Sequence, residues 1–500
     1  MTGPEDMGAK ERGTIIGSAL LALFLGALDA LVMSAAMPTI IAELGGLSLY
    51  AWVYSAYFLA RAVSLPVFGK LSDLFSTKIL MLISIFLFSG ASLAAGLSPS
   101  MGFLVGARVF QGIGAGGIFA LVYVVLSDVS VPGQRGKTLS LASSVWGISS
   151  VIGPTLGGFI VTYFSWPWIF YINLPLGLLS LAGIGIFFKE FREKRGRADL
   201  DWAGLTCFSG AVLAGLTLIM TGGREVPWGS GLGVFLIAAT LLLGAGFVWS
   251  EKRAKDPFLD FKFFKYPGFA LGNGLVVGAS FAMFSLFAYA PLFMQGAMAR
   301  SPMVVGYALL SLSLGWSLGS LILGRTVDRV GRKRASMVGC LLMAVGSLLC
   351  LTFHRDTHLS YCFVVFTIIG LGMGSITLST LLIVQDCVPP ADLGVATSLH
   401  QFARSLGGTM GVGVCGGVVT SRLFKGIQEG GAGLDPAMAA QLKESTTHLF
   451  QPEFRGQLPQ ATLDLLQGAV LDGVWAAFVV TSVVCVVGVG MAFLLPRDRE

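Results

Sequence analysis

Fourteen nearly unbroken apolar runs constrain this chain more than any other feature. They lie near residues 14–38, 51–69, 79–98, 102–126, 139–163, 168–188, 202–222, 231–249, 268–293, 303–324, 335–353, 360–385, 393–419 and 471–495. A helix rises 1.5 Å per residue, so about 20 apolar residues cross the hydrocarbon core of a bilayer. Fourteen such runs exceed what one water-surrounded core can bury, and lipid is the natural solvent for most of the chain. Transmembrane strands would alternate in polarity instead of running apolar. The expectation is therefore an all-α integral membrane protein. The composition agrees: 54% of residues are hydrophobic and 12% are charged, against roughly 25% charged in soluble domains. The 67 glycines suit helices that approach closely where no hydrophobic force drives them together.

Charge then sets orientation. A net charge of +6 invites a nucleic-acid reading, but the basic residues sit in short clusters between apolar runs, so no nucleic acid is expected as a partner. Of the 33 Lys and Arg, 23 fall in loops on one side, seven on the other, and three inside runs. Basic loops stay cytoplasmic, which predicts both termini in the cytoplasm and an inner (plasma) membrane, multi-pass protein. The segment 420–470, with Pro452 and Pro459, becomes the one long external loop, expected to carry short interfacial helices. The first run ends in Pro38 without a small-residue cleavage pattern and is expected to remain in the mature protein.

Two loops repeat. Gly69-Lys-Leu-Ser-Asp73-Leu-Phe-Ser-Thr-Lys78 and Gly324-Arg-Thr-Val-Asp328-Arg329-Val-Gly331-Arg332-Lys333 both follow an apolar run and both fit GxxxDxxxxK. Their separation of 255 residues corresponds to eight helices and not six, so a tandem duplication has two helices inserted between its halves. The predicted organisation is a six-helix bundle over 1–190, two linker helices over 191–255, and a second six-helix bundle over 256–500.

These loops resemble the signature between the second and third helices of major facilitator transporters, the second copy more completely than the first. The resemblance implies a latch in which Asp caps a neighbouring helix and pairs with Arg, opening and closing an inner gate. In the fourth run, Arg108-Val-Phe-Gln111-Gly112-Ile-Gly114-Ala-Gly116 is similar to the RxxQGxGxG element of the same family, which implies a role in proton coupling or gating. In the fifth, Gly147, Gly153, Pro154, Gly157 and Gly158 fall in a segment similar to the antiporter motif GxxxxxGPxxGG, which accompanies export. Further similarity in Leu28-Asp29, Trp166 to Pro175, Asp201 to Gly204 and Phe402 to Gly408 covers nearly the whole chain. The chain resembles the fourteen-helix drug:proton antiporter subfamily. The resemblance implies the major facilitator fold, alternating access, and export of hydrophobic or amphiphilic small molecules against protons. Proton symport, or translocation of a lipid-like compound, is the alternative within the same fold.

Few ionisable residues lie inside the runs, and a charge there is costly enough to suggest function. They are Asp29, Arg61, Arg108 and Arg404, with His400 nearby and Gln111 and Gln401 as neutral partners. A proton carrier must change its charge state, which Arg does not, so Asp29 is the first candidate for the coupling site and His400 the second. A permanent pair of Asp29 with Arg61 or Arg108 is the competing reading. One Asp against three Arg argues against a dicationic substrate and for a neutral, zwitterionic or anionic amphiphile. Phe281, Phe284, Phe287 and Tyr289 are candidates for lining a cavity. Runs 1, 2, 4 and 5 and their counterparts 9, 10, 12 and 13 should form its walls.

Other classes fare poorly. Gly136-Lys137-Thr138 resembles the end of a phosphate loop, but Val131 stands where the first Gly belongs. The four histidines are scattered and form no HExxH, so neither an enzyme nor a metal site is expected. The seven cysteines lack any CxxC spacing and suggest packing. No cofactor is implied, and a periplasmic partner is not legible in the sequence.

Overall fold

A computed structural model describes residues 7–44, 49–131, 133–190, 201–222, 226–227, 229–254, 257, 259–300, 302–430 and 460–496. The described residues form fourteen helices of crossing length. The first six are α1 (Ala9–Leu44), α2 (Tyr50–Leu74), α3 (Thr77–Gly96), α4 (Met101–Asp128), α5 (Arg135–Tyr163) and α6 (Trp168–Phe187). Two follow as α7 (Trp202–Thr221) and α8 (Gly231–Glu251). The last six are α9 (Pro267–Leu292), α10 (Pro302–Val330), α11 (Arg332–Cys350), α12 (Leu359–Asp386), α13 (Leu393–Gly430) and α14 (Gln460–Phe493). Most of the expected external loop, 431–459, lies outside the described residues, as do its expected interfacial helices.

Side-chain caps set several helix starts. Ser76, Ser100, Asp201 and Ser230 each accept a hydrogen bond from the backbone N–H three residues on, at 3.2, 3.3, 2.8 and 3.1 Å. Each bond satisfies one donor that the helix leaves without an internal acceptor. Over their described residues eleven of the helices are long and apolar enough to cross a membrane, and α2, α5 and α13 fall outside that set. In α2 and α13 the cause is visible. Arg61 and Lys70 on α2, and His400 and Arg404 on α13, turn toward protein and away from lipid, where an ionisable side chain in a span is tolerated.

The duplication reappears in packing. Helix α2 lies on α4, α3 on α4 and α1 on α5, and the same pairings recur as α10 on α12, α11 on α12 and α9 on α13. Glycines set the distances. A Cβ on Gly114 would stand 2.6 Å from the Phe88 nitrogen on α3, and one on Gly116 would stand 2.8 Å from the Arg61 carbonyl on α2. Gly372 and Gly374 do the same, facing Met343 and Ser320 at 2.7 and 2.6 Å. The GxGxG of α4 therefore has a second copy, Gly370-Gly372-Gly374, in α12. Both copies are followed twelve residues later by an aspartate, Asp128 and Asp386.

Helix α7 lies along the seam between α2 and α13, with Leu216 against Leu59 and Ala62, and Phe208 5.5 Å from Phe402. Helix α8 packs on α7, and Ser250 donates to the capping carboxylate of Asp201 at 2.8 Å. The start of α1 and the end of α14 lie at the end of the molecule that carries the repeated loops. Glu11 pairs with Lys189 at 3.4 Å, and Lys333 donates to the Phe493 carbonyl at 2.9 Å.

Candidate functional site

The seam between the bundles is tight at the end carrying the repeated loops, called the basic end below. Asp73, in the last turn of α2, accepts from the backbone N–H groups of Gly394 and Val395 at 2.8 Å each. These are first-turn donors of α13, so the carboxylate also meets the positive end of that helix. A Cβ on Gly69 would overlap Ser398 on α13. Across the molecule α5 meets α10 in a related way. Gly324 leaves room for Ser140 and the Gly136 carbonyl, Ser143 donates to Ser320 at 2.8 Å, and Ser317 donates to the Ser143 carbonyl at 2.8 Å.

The two repeated loops differ. Asp328, the counterpart of Asp73, is exposed and makes no hydrogen bond among the described residues. Arg332 instead pairs with Asp386, which also pairs with Arg135 of α5 at 3.6 Å. These groups surround a pocket of about 550 Å³ that Asp328 also lines. Gly331 holds φ at +86° as the residue before α11, and Lys333 ties α11 to the end of α14. Arg329 is exposed, and the Lys78 backbone donates to Glu190 at 3.4 Å.

Farther into the bundle, Asp29 on α1 and Arg108 on α4 form an ion pair at 2.6 Å, each about 1% exposed. Arg108 also donates to Gln111 at 2.7 Å and to the Val53 carbonyl at 3.3 Å. Gln111 donates to Asp29 at 2.9 Å and to Ser92 at 2.7 Å, and Asn173 donates to Asp29 at 3.2 Å. The group lies wholly within the first bundle. The Tyr57 ring closes it off, 4.2 Å from the Arg108 guanidinium on one face, with the Arg61 guanidinium 5.7 Å from the ring centre.

Beyond Tyr57 lies a cavity of about 370 Å³ at the junction of the bundles. Its walls come from α1, α2, α4 and α5 on one side and α9, α10 and α13 on the other. Arg61 and Arg404 line it, with Phe58, Phe119, Trp146, Phe284 and Trp316. The expectation that α12 helps to line it needs correction. That helix contributes no lining residue among those described, because Gly370 and Gly374 draw it in behind α10.

The seven sequence candidates thus separate. Arg61 and Arg404 reach the cavity, Asp29, Arg108 and Gln111 stand one side-chain layer behind it, and His400 and Gln401 are buried in the second bundle. His400 meets the Thr380 hydroxyl at 2.9 Å. In α5, Gly147 makes room for Ser317, Gly153 faces Leu31, Gly157 is buried and Gly158 faces open space. The side chain of Pro154 lies outside the described residues. Of the aromatic candidates, Phe284 lines the cavity, whereas Tyr289 donates to the Val412 carbonyl at 2.6 Å and Phe281 packs near Cys415. Sequence reasoning missed Trp146, Trp316, Asn173, Ser92 and Asp386. A usable signal existed for the tryptophans, which favour membrane interfaces yet here sit in mid-helix.

Comparison with known proteins matches residues 19–412 to the model of the Major Facilitator Superfamily. The chain is 34% identical over 412 residues to the multidrug transporter protein MdtP of Bacillus subtilis, covering 82% of this chain and 76% of that one. It is 29% identical over 501 residues to multidrug resistance protein 3 of the same organism, covering 98% and 97%. Among solved structures, the human organic anion transporter MFSD10 superposes with a TM-score of 0.63 at 15% identity, covering 96% of this chain and 99% of that one. That likeness speaks to the fold alone.

Proposed function

The chain belongs to the Major Facilitator Superfamily, and from that premise we propose that it exports hydrophobic or amphiphilic small molecules across the inner membrane in exchange for protons. The observation that carries the reading is an aromatic cavity at the bundle junction with a buried acid one side-chain layer behind it. The names of its relatives, a multidrug transporter and a multidrug resistance protein, support export of foreign or hydrophobic compounds.

The cycle follows from alternating access between two bundles around a site near mid-membrane. Both termini and the basic end face the cytoplasm, by the excess of Lys and Arg there. The described arrangement is then closed toward the cytoplasm, with Asp73 latched on α13. Asp29 takes the proton. Neutralising it releases Arg108 from its ion pair, and Arg108 moves against the Tyr57 ring, which borders Arg61 at the cavity. Occupancy of the cavity and protonation of Asp29 are thereby coupled without direct contact between substrate and carboxylate. Asp73 and the Asp386 cluster gate the inner end.

The test is substrate-driven proton release in inside-out vesicles, for the intact protein and for Asp29→Asn. Release that vanishes in the variant supports antiport through Asp29. Persistent absence of release, with binding demonstrated for the same compounds, overturns it.

A further inference from the structure

The cavity is built from aromatic rings and two cations. Arg61 lies 4.9 Å from the Phe58 ring centre and 5.0 Å from that of Phe119. Arg404, 7% exposed, lies 5.8 Å from both Trp146 and Trp316, whose rings stack 6.4 Å apart. No Asp or Glu lines the cavity, and neither guanidinium has a carboxylate partner among the described residues. Three donors on its wall, Arg61 Nη1 and the indole Nε1 of Trp146 and Trp316, are buried without a hydrogen-bond partner among the described residues.

These groups can only donate, and a buried donor left unpaired is costly. Aromatic faces would ordinarily receive an organic cation. Here the protein's own guanidiniums lie against those rings, and Asp29, the buried acid nearest to hand, is held by Arg108 behind Tyr57. An entering cation would meet two like charges with nothing to offset them. An entering anion would meet two cations and three open donors, in surroundings of low dielectric that strengthen such bonds.

We infer that the transported class is an amphiphilic anion: an aromatic or hydrophobic body held among Trp146, Trp316, Phe119 and Phe284, with a carboxylate or similar acceptor group between Arg61 and Arg404. This rests on the export reading and narrows its substrate to one charge class.

The test uses one ring system carried in three charge states: naphthoate, naphthylmethanol and naphthylmethylamine. Binding to the purified full-length protein is read by tryptophan quenching at neutral pH, and uptake is read separately in energised inside-out vesicles. Naphthoate should bind about tenfold or more tighter than the alcohol, the scale of one charge-assisted bond, and the amine weakest. Arg61→Gln and Arg404→Gln should each abolish the preference for the anion while alcohol binding reports an intact fold, and Arg404→Lys should retain much of it. Amine binding equal to or tighter than naphthoate, or an anion preference that survives both Gln variants, overturns the inference. Uptake of none of the three by the intact protein counts against the export reading alone, since the binding series still decides the charge class.

Discussion

Replacing Asp73 by Asn should loosen one seam of the molecule at a place that can be read residue by residue. The carboxylate accepts two backbone N–H bonds from Gly394 and Val395, both at 2.8 Å, and these donors have no acceptor inside their own helix. Hydrogen bonds to a charged group contribute roughly 1.5–3 kcal/mol each, and a carboxylate at a helix N-terminus gains a further ~0.3–1 kcal/mol. Asn keeps one acceptor oxygen, turns an NH₂ group toward the second donor and removes the charge. The net loss is therefore about 2–4 kcal/mol. Since every 1.4 kcal/mol is about a factor of ten, the Gly394 and Val395 amides should exchange with solvent roughly 30- to 1,000-fold faster. Hydrogen–deuterium exchange with mass spectrometry on the protein in nanodiscs reads this directly, because protection tracks the free energy of local opening. Asp328→Asn is the internal control. Asp328 is exposed and holds no backbone donor, so amides at the start of α5 should exchange at the original rate. Unchanged protection at 394–395 in the Asp73 variant, or an equal response to Asp328→Asn at the start of α5, would refute the capping argument.

Arg108→Ala strands the Asp29 carboxylate in the core of the first bundle, which should cost about 3–5 kcal/mol and appear as a lower thermal midpoint in detergent; adding Asn at position 29 should recover part of it. Gly331→Ala forces a side chain into backbone at φ +86°, a strain of roughly 1–3 kcal/mol, and should lower folded yield measured by fluorescence-detected gel filtration.

Much of the architecture could be read from local pattern. Apolar run length is a one-dimensional property, and in lipid each backbone polar group must be satisfied within its own helix, so helix count follows from sequence; limits follow less closely, since α13 runs to Gly430 and α14 starts at Gln460, each eleven residues beyond its apolar run. The tandem duplication was legible because both copies keep the Gly, Asp and Lys of one spacing, Gly69, Asp73 and Lys78 against Gly324, Asp328 and Lys333. The second GxGxG, at Gly370, Gly372 and Gly374, is less legible because its flanks diverge: the positions matching Arg108 and Gln111 are Phe366 and Ile369. The importance of Asp386 was hidden for a related reason. It sits at a helix end, where an acid ordinarily meets solvent, and only the approach of α5 and α11 gives it Arg135 and Arg332 as partners.

The sequence by itself determined that the chain crosses a membrane many times, that it is doubled, and which few ionisable residues lie inside the spans. It could not say which of those residues meet. One turn of helix carries a side chain from the seam to the bundle core, and run length is blind to that rotation. Tertiary structure decided that Asp29 and Arg108 neutralise each other behind Tyr57 and that Arg61 and Arg404 share a cavity. It also brought Trp146 and Trp316, 170 residues apart in the chain, into one stack. The physical reason is that a helix commits only its backbone locally, whereas the partner of a buried charge is chosen by which faces the bundles press together.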